Sequence, residues 1–101
     1  MTDAQPQAHP LFIGGEWLHR AETFERRDPS QPDAVTGIYS VAGPADVDQA
    51  FAAAAAAQPA WAASSAQVRS RTLRTAAELI DASLDELART LTADMGKAIR
   101  D

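Results

Sequence analysis

Few residues in this sequence have the type and spacing that chemistry requires. There is no cysteine, which removes a thiolate nucleophile, a thiolate metal site and any disulfide. His9 has no second histidine or carboxylate at ligand spacing, so a solvent-exposed role is expected and not a metal-binding one. Gly14-Gly15 could cradle a phosphate. The third glycine of a dinucleotide loop is missing, however, and no helix signal follows to aim an N-terminus at the anion. A tight hairpin turn, which needs positive φ, accounts for the pair better. Arg26 and Arg27 are adjacent on an expected strand and therefore face opposite sides, which suits solvated or ion-paired roles. Tyr39 has no base or nucleophile beside it in sequence and is expected to pack. Lys97 follows Gly96, where a helix dipole favours a cation; a cap or surface role is expected, with phosphate binding a remote second. No catalytic, cofactor-binding or metal-binding residue is expected in this chain.

The elements that would position these residues are clearest in the last third. Leu73, Ala76, Ile80, Leu84, Leu87, Leu91 and Met95 are spaced by three or four residues, one face of a helix. Ser64 stands three before Gln67, and Ser83 three before Glu86, so each pair can form a capping box. Gly96 can close a helix in the left-handed region. Helices are expected over 65–81 and 84–95, with another starting at 97.

Upstream, Gly43-Pro44-Ala45-Asp46 reads as a helix start, with proline at the first position and an acid in the first turn. Val47, Ala50, Phe51, Ala54 and Ala57 form a stripe through an alanine run. That run gives a slim surface on which another helix could sit. Phe51 and Trp61 speak against a low-complexity linker there. Pro59 is expected to end this helix, placed over 44–58, with Trp61 folding back beyond it. Leu11 to Leu18 reads as a hairpin, and Thr23 to Arg27 as a strand ended by Asp28-Pro29. Residues 30–36 read as a loop and 37–41 as a short strand. Residues 1–10, polar and interrupted by Pro6 and Pro10, form an expected disordered lead. The fold class is α+β: a short hairpin and strands over 11–41, followed by three helices. In the second of these, Arg69, Arg71 and Arg74 precede Glu78 and Asp81, the reverse of what its dipole favours. At least one of these arginines is expected to meet a carboxylate elsewhere in the fold or on another subunit.

The chain has 101 residues and is 46% hydrophobic, but alanine supplies much of that fraction. Alanine buries little area, so an independent core would be marginal and much of the apolar face needs a larger partner surface. The net charge of −5 is uneven. Acids outnumber arginines over 1–63, and the signs balance over 64–101. This argues against nucleic acid and against an anionic membrane as partners. No long apolar run suggests a spanning helix, and 1–10 lacks a signal-peptide pattern. A cytoplasmic location is the expectation.

Taken in order, these pieces resemble the N-terminal segment of the NAD(P)-dependent aldehyde dehydrogenase superfamily. Phe12-Ile13-Gly14-Gly15-Glu16-Trp17 resembles its opening hairpin, and Thr23-Phe24-Glu25 with Asp28-Pro29 its next strand and turn. Ala45 to Ala50, the alanine tract and Pro59-Ala60-Trp61 resemble its first helix and exit. Arg69 to Ala77, Leu87-Ala88 and Asp94-Met95-Gly96-Lys97 complete the likeness. Asp28, Asp94 and Ala98 depart from the asparagine, glutamate and proline usual there. The stretch from Asp28 to Gly37 is similar to members acting on semialdehydes, including 2,5-dioxopentanoate.

The resemblance implies a parent that oxidises an aldehyde to a carboxylic acid with NAD or NADP. In that family a cysteine nucleophile, a glutamate base, an oxyanion asparagine, a cofactor lysine and a glycine-rich turn do the work. None maps onto a position here. The expectation is an N-terminal fragment acting as scaffold, whose partners are the remainder of the dehydrogenase fold and further copies in a homo-oligomer. The rival reading is a free-standing, non-catalytic helical interaction module. Titrating the purified chain with NAD+ or NADP+ is expected to show no saturation at about 1 mM, a binding free energy of about 4 kcal/mol.

Overall fold

The computed structural model describes residues 7–99. Strands β1 (Leu11–Ile13) and β2 (Glu16–Leu18) pair antiparallel, with Phe12 opposite Trp17. Gly14 and Gly15 close them with φ of 62° and 82°. Positive φ at both central residues matches the right-handed strand twist, and the expected tight hairpin is what forms.

Strands β3 (Thr23–Asp28) and β4 (Gln31–Ser40) make a second, separate antiparallel ribbon. The loop expected over 30–36 is instead the first part of β4. Proline and irregular spacing suggested a loop. The register shifts on either side of Arg27 take up the extra residues, and in a two-stranded ribbon Pro32 leaves no ladder partner stranded. The tight turn is held by the Asp28 carboxylate, which accepts from the Ser30 backbone N–H at 2.8 Å and its hydroxyl at 2.7 Å. Residues 1–6 of the expected disordered lead lie outside the described residues. His9, near its end, is paired: its N–H donates to Ile38 at 2.7 Å, and Ser40 N–H donates to its carbonyl at 3.0 Å.

Helices α1 (Pro44–Ala63), α2 (Ala66–Ala82) and α3 (Leu84–Met95) follow. Pro59 does not end α1 but lies inside it. The proline removes one N–H donor, and at this exposed position water can take the freed carbonyl while alanines on both sides sustain the helix. Trp61 therefore sits in the last turns of α1, not in a segment that folds back on it. The expected Ser64–Gln67 box is displaced by one residue. Ser64 closes α1, its hydroxyl donating to Trp61 O at 2.6 Å, and Ser65 starts α2 by accepting from Val68 N–H at 3.2 Å. Ser83 precedes α3 without the expected side-chain cap, because its backbone serves both helices: its N–H closes α2 on Ile80 O at 3.0 Å. Gly96 ends α3 at φ 74°, as its placement predicts. Residues 97 and 98 are irregular, and the helix expected from 97 runs into residues outside those described.

No hydrophobic side chain among the described residues is buried. Leu73, Ile80, Leu84, Leu87, Leu91 and Met95, the long side chains of the apolar stripe, all stand exposed. The Cα radius of gyration is 17.6 Å, against about 13 Å for a compact chain of this length. Packing is local. The β1–β2 turn approaches α1 at Ala53, and an open groove lined by Phe12, Ile13, Gly14, Ala50, Ala54 and Ala57 leaves most of the alanine face exposed. A Cβ placed on Gly14 would stand 3.6 Å from Ala53 Cβ. The C-terminal part of α3 rests on the ribbon, where Thr36 donates to the Asp94 carboxylate at 2.9 Å.

Two substitutions separate backbone cost from steric cost. A Cβ at Gly15 meets nothing within 4 Å, so Gly15→Ala is expected to cost only its left-handed conformation, about 1–2 kcal/mol. Faster amide exchange confined to the hairpin would show it. A Cβ at Gly37 would lie 2.8 Å from the Tyr39 hydroxyl. Gly37→Ala is therefore expected to push that ring off His9 and Phe24, with loss of ring-current shifts in the NMR spectrum.

Candidate functional site

The most elaborated polar cluster joins three segments that are far apart in sequence. Arg20 lies in the link between the hairpin and the ribbon, Ser40 ends β4, and Asp46 is in the first turn of α1. Pro44 presets the helical φ at the start of α1, so the Asp46 carboxylate turns back over the helix N-terminus. There Oδ2 accepts from Gly43 N–H at 2.9 Å. The Arg20 guanidinium meets the same carboxylate through Nε at 3.0 and 3.1 Å and through Nη2 at 2.5 Å. Arg20 N–H donates to Ser40 Oγ at 3.3 Å, and Arg20 Nη1 to its neighbour His19 O at 3.0 Å.

Ser40 and Asp46, 6% and 9% exposed, are the buried residues among those described. A carboxylate so placed must be paired, and this one is. The Arg20 hydrogen bonds, then the Gly43 N–H, hold its pKa below the usual aspartate range; the same pair raises that of Arg20. An anion with its lone pairs committed to fixed donors is a poor proton acceptor, so the cluster is a structural clasp and not a general base. Sequence reasoning placed Asp46 for its helix dipole but did not single out Arg20, since nothing local marks a partner 26 residues away.

The other candidates do not converge. His9 is exposed and stacks on Tyr39 with ring centroids 4.9 Å apart, while Phe24 stacks on Tyr39 at 5.6 Å. Tyr39 thus packs, as expected. Arg27 pairs with Glu25 at 2.9 Å and also donates to Pro32 O at 3.1 Å. Arg26 reaches Asp94 O only at 3.5 Å. Lys97 is exposed past the end of α3. Arg69 finds a partner of a different kind from the expected carboxylate. Its guanidinium donates to Ser64 O and, at 3.4 Å, to Ala62 O, capping the carbonyl end of α1. Arg71 and Arg74 have no carboxylate at ion-pair distance among the described residues. The Gly14-Gly15 turn closes a hairpin against the side of α1, and no helix starts there, so it does not fit a dinucleotide pyrophosphate.

The clasp has a defined response to acid. The Asp46 pKa is lowered on folding, so its contribution is complete above the ordinary aspartate value of about 3.9 and is lost as pH falls through the lowered value. Asp46→Asn keeps the shape and removes the charge. It is expected to abolish that acid transition at the start of α1 and to speed exchange of the Arg20 and Val47 amides several-fold at neutral pH, as read by NMR.

The family model for the aldehyde dehydrogenase family matches residues 17–101. A point mutant of the 1-pyrroline-5-carboxylate dehydrogenase of Thermus thermophilus is similar in structure, with a TM-score of 0.89 and 35% sequence identity. The match covers 93% of this chain and 18% of that enzyme, so the chain spans about a fifth of the length of its solved relative. With the hairpin, ribbon and helices arranged as in that dehydrogenase, this chain belongs to the aldehyde dehydrogenase family.

Proposed function

We propose that this chain is the opening scaffold of an NAD(P)-dependent dehydrogenase that oxidises an aldehyde or semialdehyde to a carboxylic acid. The observation that carries the reading is a family match over residues 17–101 in a chain without cysteine. In this family, as the sequence resemblance implies, the nucleophile is a cysteine. The part played here is then structural. The clasp of Arg20 and Asp46 sets the hairpin on α1, and the ribbon seats α3. The exposed stripe from Leu73 to Met95 is left for the remainder of the dehydrogenase fold to cover. Burial of long apolar side chains is worth about 1.5–3 kcal/mol each, enough to turn a loosely packed segment into a fixed layer.

Absorbance of reduced nicotinamide provides the test. The purified chain with NAD+ or NADP+ is expected to oxidise neither simple aldehydes, nor 2,5-dioxopentanoate, nor 1-pyrroline-5-carboxylate, the compound in the name of its solved relative. Turnover by the chain alone would overturn the scaffold reading. Exchanged for the matching segment of the Thermus enzyme, the chain is expected to give a folded and active chimera. A chimera that elutes as a folded protein yet oxidises nothing would count against the same reading.

A further inference from the structure

Asp28-Pro29 is the one aspartyl-prolyl bond in the sequence. Two properties make such a bond easy to open in acid. The aspartyl carboxyl is tethered within reach of its own peptide carbonyl, and the proline nitrogen, part of a tertiary amide, takes up a proton and leaves more readily than a secondary one. The bond sits in the tight turn between β3 and β4, with Asp28 half-buried and Pro29 and Ser30 exposed, so water reaches it. The carboxylate, however, is occupied. Its Oδ1 accepts from the Ser30 N–H at 2.8 Å and from the Ser30 hydroxyl at 2.7 Å, both donors lying beyond the bond. The charged groups around it are engaged elsewhere or stand apart. Arg27 pairs with Glu25 and donates to Pro32 O, Arg26 reaches Asp94 O, and Asp94, on the end of α3 that rests against the ribbon, accepts from Thr36. Among the described residues Asp33 and Lys97 form no ion pair.

We propose that the bond between Asp28 and Pro29 is a self-cleavage site of this chain, held closed by the hydrogen bonds of Ser30 to the Asp28 carboxylate. In the reaction a carboxyl oxygen of Asp28 forms a bond to the Asp28 carbonyl carbon. The bond from that carbon to Pro29 N breaks, and the nitrogen leaves with its electron pair and takes the carboxyl proton. Water then opens the cyclic anhydride and leaves both carboxyl groups of Asp28 free. Water is the only co-reactant, and nothing is oxidised or reduced. The turn opposes this in two ways. An oxygen held by two donors of residue 30 is a weakened nucleophile and is tied to that residue, not to its own carbonyl carbon. The Ser30 hydroxyl, then the Ser30 N–H, with a backbone hydrogen bond from Gln31 adding to them, also hold the carboxyl pKa below the usual aspartate range. Less of the neutral acid that the reaction consumes is therefore present as pH falls from the ordinary value of about 3.9 to the lowered one. The site lies on the ribbon and stands independently of the proposed activity.

Mass spectrometry of the full chain kept for days near pH 4, about the ordinary aspartate value, tests the site. Fragments 1–28 and 29–101 are expected, and Asp28→Asn is expected to suppress them. Cleavage in buffer is expected to be several-fold slower than in concentrated guanidinium at the same pH, where the turn is lost. Ser30→Ala is expected to cleave several-fold faster than the parent in buffer and at the same rate in guanidinium. Ser30→Thr, which keeps the hydroxyl, is expected to stay slow in buffer. Scission mainly at another bond, equal parent rates with and without guanidinium, or equal rates for Ser30→Ala and Ser30→Thr in buffer would each overturn the proposal.

Discussion

A carboxylate withdrawn from water needs donors arranged around it, and in this chain one such requirement sets the geometry of three segments. Asp46 is positioned by the start of α1, its charge is answered by Arg20, and Arg20 in turn is held through its backbone to the end of β4. The hairpin and the ribbon share no strand pairing. Their relation to each other and to α1 runs through this cluster, through the pairing of His9, just ahead of β1, with Ile38 and Ser40 of β4, and through the close approach of Gly14 to Ala53. A bidentate guanidinium fixes orientation as well as distance, which a lysine at the same place would not.

Around that clasp the chain is a set of locally satisfied pieces without a common interior. Backbone polar groups are answered by turns and caps: the Asp28 side chain in its turn, Ser64 and Arg69 at the end of α1, Gly96 at the end of α3. Apolar groups are not answered in the same way. Phe51 is 73% exposed and Trp17 68%, and the stripe along α2 and α3 faces open space. Hydrogen-bond satisfaction is a local matter, whereas burying a leucine needs a surface from elsewhere. That contrast is what an N-terminal fragment of the aldehyde dehydrogenase fold should show.

How much of this was legible depended on whether the deciding interaction lay close in sequence. The hairpin turn, the alanine helix start, Gly96 and the packing role of Tyr39 depend on neighbours within a few residues, and residue types alone revealed them. The family could be read because its pieces keep order and spacing over most of the chain. Three readings failed where a longer-range or compensating effect won. Pro59 was outweighed by alanine on both sides. The segment from Gln31 to Thr36 became strand because β3 supplied a partner. Ser64 and Ser83 were drawn off their expected caps by the helices they end. The Arg20–Asp46 pair had no local signature, and its discovery required the fold.

Pro59 has one more effect. A proline in the interior leaves the Ala55 carbonyl without its usual donor and interrupts the continuous ladder along α1. Ahead of that gap the helix is fastened to Arg20 through Asp46. Behind it, Arg69 fastens the helix end to α2. One rod is thus tied down on both sides of its interrupted ladder, by a salt bridge at its start and by a guanidinium at its end.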